Sequence, residues 1–152
     1  MTTIRTTQGR AVTHCHVPHS PCTRELNADE VEFCRRKARQ HNPDAVEISQ
    51  PTSIYNCHGF AYAESHGWFS HPERFFEDDF DELPLESARE DDFVIYMDDE
   101  TLMHSAKIIQ VTDDGEILEL HSKWGHLALL SHTLHGVPRI YGRPTHLVRR
   151  RE

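Results

Sequence analysis

The sequence predicts an α+β fold, with helices in the first half and an antiparallel sheet in the second. Three observations predict it. Asn27 followed by Glu30 is a capping-box pattern ahead of a helical stripe that Pro43 ends. Asn56 stands before the short apolar stretch opening on Cys57, where an N-cap belongs. From residue 92 the apolar period changes to that of strands separated by turn residues. Helices first and a meander second is the α+β order.

The 152 residues suit one domain, 1–152, of which 1–26 read as an irregular arm rich in His and Cys. The net charge of −9 speaks against a nucleic-acid partner, which wants a basic face. Apolar runs are too short to cross a membrane, so no membrane partner is expected. Met1-Thr2-Thr3-Ile4-Arg5 lacks the apolar stretch of a secretory signal. The expectation is therefore a cytoplasmic protein as synthesised, with reduced thiols; delivery by a specialised secretion machine is also allowed.

Residues 27–41 form the first helix, with Val31, Cys34 and Ala38 on its apolar stripe and basic residues toward its end. Residues 43–55 read as a connection. The segment from Trp68 to Phe76 is aromatic, covering a core edge or lining a cleft, and Glu77–Glu82 reads as a solvated acidic loop. Phe93–Met97, His104–Val111 and Glu116–His121 are strands, with Thr112-Asp113-Asp114-Gly115 as the turn between the last two. Leu127–Leu130 is open between strand and helical turn. Arg139–Gly142 and Thr145–Val148 read as closing strands, and Arg149-Arg150-Arg151 as a solvated tail.

Chemistry concentrates in two places. The first is Cys57 at a helix start, where the positive end of the peptide dipoles is expected to lower its pKa and favour thiolate. A nucleophilic Cys needs an imidazole to take its proton, and that imidazole needs a third group to orient it. Side chains alternate along strands, so pairing Val111 with Glu116 would set His104 opposite Lys123 and diagonal to His121 on one face. A one-residue slip would send His121 to the other face. The second place holds Cys15, Cys22 and Cys34, with His14, His16, His19 and His41 nearby. Three thiols and one imidazole can bind zinc tetrahedrally, although this spacing fits no standard finger. The competing readings for Cys34 and the arm are a packed thiol and a flexible His-rich segment.

Asn56-Cys57-His58-Gly59-Phe60-Ala61-Tyr62-Ala63, Asp91-Asp92-Phe93-Val94-Ile95-Tyr96, His104-Ser105-Ala106, Asp114-Gly115 and His121-Ser122-Lys123-Trp124-Gly125 follow one another in an order that resembles the papain-like cysteine amidases. The resemblance is to CHAP domains (cysteine, histidine-dependent amidohydrolases/peptidases) and their NlpC-like relatives, and covers about residues 50–125. It implies a papain-like fold, with the catalytic Cys at a helix start packed on an antiparallel sheet. It implies Cys57 as nucleophile, His104 as base and His121 as third residue. His121 stands where CHAP domains usually have Glu, as in the NlpC-like branch, and Lys123 where they have Asn. The resemblance further implies a cysteine peptidase or amidase that cleaves a peptide, isopeptide or peptidoglycan-type amide without a cofactor. The Cys57 N–H would serve the oxyanion, with Tyr55 or Asn56 as a second donor and Lys123 and Trp124 nearby as positioning residues. The alternative function is a zinc-binding structural or regulatory module over a catalytically silent core.

Overall fold

In the computed structural model, which describes residues 4–12, 25–52, 54–63, 65, 69 and 71–151, the first helix, α1, spans Ala28–His41. The Asn27 side chain accepts from the Glu30 amide, and the Glu30 carboxylate accepts from the Asn27 amide, so the capping box is complete. Two further helices follow, α2 (Cys57–Tyr62) and α3 (Glu73–Asp79).

The strands are β1 (Val46–Ser49), β2 (Phe80–Pro84), β3 (Phe93–Asp98), β4 (Thr101–Val111), β5 (Ile117–Lys123), β6 (Leu129–His132) and β7 (Arg143–Arg150). They form one seven-stranded sheet in the order β1-β6-β5-β4-β3-β7-β2, with antiparallel pairing throughout. The connection over 43–55 therefore contains an edge strand, and Leu127–Leu130 resolves into the start of β6.

Alternation along the strands builds two cores. One face carries Phe93, Ile95 and Val148 under Tyr62, Phe69, Phe75 and Phe80. The other carries Val94, Tyr96, Ala106, Ile108, Leu120 and Leu147. Each large apolar side chain taken fully out of water contributes about 1.5–3 kcal/mol. Near α1, Ala38 joins Trp124, Ala128 and Leu130.

Three polar expectations change. Arg149 and Arg150 belong to β7 rather than to a solvated tail. The Arg149 guanidinium donates to both Asp92 oxygens at 2.7 Å, and Asp92 is buried, so this bidentate pair binds β7 to the entry of β3. The acidic run is the end of α3 and the start of β2, not a loop. Arg10 donates to Glu77 and Asp78, and the Thr7 amide donates to Asp79, which ties the N-terminal bridge Arg5–Ala11 to α3. Arg139–Tyr141 is a turn of 3-10 helix, not a strand. Pro138 and Pro144 bracket it, and Gly142 leaves it at φ +81°.

Gly142 carries a direct consequence. A Cβ there would lie 2.0 Å from the Met97 carbonyl oxygen, in a backbone conformation that disfavours side chains. Gly142→Ala is expected to destabilise the fold by at least about 2 kcal/mol. Urea unfolding should show a lower midpoint at unchanged slope; an unchanged midpoint would contradict the turn geometry.

Candidate functional site

Asn56 is the N-cap of α2, and its side chain is fully engaged by backbone. Its oxygen accepts from the Gly59 amide at 3.0 Å and the Phe69 amide at 3.1 Å, while its Nδ2 donates to the Phe69 carbonyl at 2.6 Å. One residue thus starts the helix and fixes the Phe69 backbone beside it. Cys57 is the first helical residue, as the sequence predicts.

The location of that helix start follows from the sheet. The β4–β5 ladder runs from Val111–Ile117 to Lys107–His121 and stops. Beyond it β4 continues paired with β3 through Ser105 and His104, and β5 continues paired with β6 through Ser122 and Lys123. α2 packs against both strands. The Ser105 backbone lies near enough to the Cys57 sulfur to favour its thiolate. Burial pushes the thiol up to about 12, against the lowering expected from a helix start. Six residues make a weak dipole, and desolvation of the anion outweighs it together with the nearby amides and Lys123.

His104 is completely buried. Its ring lies flat on Tyr141, with centroids 4.1 Å apart and planes 2° apart, and Tyr96 meets it edge-on at 5.4 Å. Neither ring nitrogen has a hydrogen-bond partner among the described residues. Burial holds its pKa well below the ordinary value, so the imidazole is neutral.

A cleft of about 260 Å³ opens over Cys57, with His58, Phe69, Met103, Gly125 and Tyr141 in its lining. Tyr141 therefore forms part of the cleft and also stacks on His104. A larger groove of about 490 Å³ lies near the C-terminus of α1, lined by His41, His132 and His135, with no thiol among its described lining residues.

The structure separates other expected members of the site. The β4–β5 register is one residue from the expected one, with Val111 opposite Ile117 and His121 opposite Lys107. Leu120 shares a core with Ala106 and Tyr96, the His104 side, so His121 faces the other way. There it contacts Glu119 at 3.0 Å. Lys123 is buried, donates to the carbonyls of Thr52 (2.6 Å) and Gly125, and lies 4.9 Å from the Tyr55 ring centroid. It ties down two loops instead of standing free over the cleft. Trp124 donates to Ser122 Oγ at 3.1 Å inside the α1 core and is absent from the cleft.

Sequence reasoning missed Ser105, Tyr141 and His58. His58 Nδ1 contacts Ser105 Oγ at 2.9 Å, and the Tyr62 hydroxyl donates to the same oxygen at 2.7 Å. His58 and Tyr62 are four apart on α2, and that spacing is a signal of a shared face. Tyr141 arrives from distant sequence with no local signal.

Cys15 and Cys22 lie outside the described residues, and Cys34 is buried on α1. Among the described residues no group of three or more His, Cys, Asp or Glu is placed to hold a metal. Among those residues, no helix is long and apolar enough to cross a membrane.

Residues 47–149 match a protein family described as Domain of unknown function (DUF7689), and the chain belongs to that family. No curated protein and no solved structure matches the chain.

Lys123 yields a pH prediction. Burial lowers its pKa from 10.5 to about 7. Between those values the unfolded chain binds more protons, so folding becomes more favourable as pH rises. Wild-type stability measured against Lys123→Met should therefore increase by a few kcal/mol (~1.4 per pKa unit) from pH 7 to 10.5. A flat difference would mean that Lys123 stays charged in the fold.

Proposed function

We propose that the chain is a cysteine hydrolase of amide-type bonds with a papain-like arrangement, Cys57 acting as nucleophile and His104 as base. The chief support is the His104 imidazole, whose two buried nitrogens have no hydrogen-bond partner among the described residues, Cys57 included. It shares Tyr141 with the cleft in which Cys57 stands. A buried polar group left unpaired costs about 1–3 kcal/mol, and a proton-transfer role accounts for it.

The resting pair is neutral. Burial favours thiol over thiolate and imidazole over imidazolium, so the proton moves as the nucleophile attacks. The sulfur forms a bond to the carbonyl carbon while His104 takes the thiol proton. His104 then returns that proton to the leaving amine as the C–N bond breaks. Water, deprotonated by the same imidazole, hydrolyses the thioester and restores the thiol. Tyr141 and Tyr96 hold the ring plane, in place of a hydrogen-bonding third residue. The cleft volume suits a residue-sized segment of a peptide-like substrate, including a peptidoglycan-type peptide.

Two measurements test this. With p-nitrophenyl acetate, acylation resolved by mass spectrometry should fall on Cys57 faster than on Cys34, the other buried thiol among the described residues. His104→Ala should slow that step on the order of 10²-fold. Equal acylation of the two thiols overturns the reading. With iodoacetamide, alkylation of Cys57 should climb about tenfold per pH unit from 7 to 10, following thiolate formed below a pKa of about 12. A plateau near neutral pH would instead indicate a preformed thiolate–imidazolium pair.

A further inference from the structure

The attack on a carbonyl places negative charge on its oxygen, and the cleft must supply a donor for it. Asn56 is committed to the backbone of Gly59 and Phe69. Tyr55 lies against Lys123. His58, next to the nucleophile, lines the cleft and is held from behind by a hydrogen-bond chain. We infer that the Nε2–H of His58 is the side-chain donor that binds the carbonyl oxygen of a substrate acylating Cys57, an inference that rests on the nucleophile assignment above.

The Tyr62 hydroxyl donates to Ser105 Oγ. The hydroxyl proton of Ser105 is then free to go to His58 Nδ1, which lies 2.9 Å away. With the Ser105 proton in that contact, Nδ1 is the acceptor and carries none. A neutral imidazole has one N–H, so the proton sits on Nε2. Burial keeps the ring neutral, with a pKa lowered to about 3, which rules out the doubly protonated form at ordinary pH. His58 is thus a fixed, uncharged donor with its acceptor nitrogen already occupied. Such a group stabilises a developing oxyanion without first rearranging. A neutral donor also leaves the thiol proton to His104, so the two imidazoles do not compete for one role.

An acylating ester exposes the role. The Cys57 sulfur bonds to the carbonyl carbon, its proton passes to His104, and the C=O electron pair moves onto oxygen against His58. That pair then returns as p-nitrophenolate leaves, and His104 releases its proton to solvent. Alkylation by iodoacetamide displaces iodide at a saturated carbon and builds no oxyanion. The ratio of the acylation rate to the alkylation rate at Cys57 therefore isolates the donor. In His58→Leu this ratio should fall on the order of 10²-fold, and His58→Gln, which keeps a side-chain N–H, should recover about tenfold of that loss. A ratio unchanged in His58→Leu overturns the inference, because the two steps then need His58 equally or not at all. If wild-type Cys57 is acylated no faster than Cys34, the nucleophile assignment falls and takes this inference with it. If wild type acylates normally and the ratio does not move, the donor assignment alone fails. A measurement on the unmodified chain guards against misfolded variants: ¹⁵N resonances of His58 at pH 7 should report the Nε2–H tautomer, and an Nδ1–H tautomer or a cation overturns the inference.

Discussion

β4 and β5 stop pairing after Lys107 and His121, and the molecule is arranged around that break. Ending a ladder inside a sheet frees amides and carbonyls that must find other partners, since each buried orphan is costly. Here each strand keeps its outer neighbour, β3 for β4 and β6 for β5, so half of each backbone remains paired. The start of α2 packs into the opening, with the Cys57 sulfur near the Ser105 backbone. Lys123, at the end of β5, turns its ammonium to the carbonyls of Thr52 and Gly125 and closes the loops on either side. Cys57 and the cleft that it shares with Tyr141 lie where the sheet is least complete.

Burial dominates the electrostatics of this region. Cys57 is raised, and His58 and Lys123 are lowered, each with desolvation as the largest cause. His104 follows the same rule. The result is a neutral thiol beside neutral imidazoles in an overall acidic protein. Charge then appears only when a reaction creates it, and fixed hydrogen bonds rather than counter-ions receive it. The charged pairs stand elsewhere: Arg149 with Asp92, and Arg10 with Asp78, join strands and helices at a distance from the thiol.

Local signals were legible in the sequence. The capping box of α1, Asn56 before Cys57, the meander and the turn at Gly115 all rest on contacts between near neighbours. The α+β class followed from them. Register was not legible, because the turn closes Val111 on Ile117 instead of Glu116, that offset returns at Lys107–His121, and a one-residue shift reverses faces. That shift separated His121 from His104. The helix-start argument for Cys57 failed for a related reason: a dipole is local and visible, but burial is set by the whole fold. Tyr141 and the bidentate Arg149–Asp92 pair join distant stretches, so composition alone made the one a strand residue and the other a tail.

Ser105 links a weak element to a strong one. A helix of six residues has little stability of its own. Its first and last turns, at His58 and Tyr62, are both fastened to one oxygen on a central strand. Two attachment points on one face leave the helix no freedom to roll about its axis. The angular position of the Cys57 sulfur is consequently borrowed from the sheet, and a short helix acquires the mechanical stiffness of a seven-stranded one.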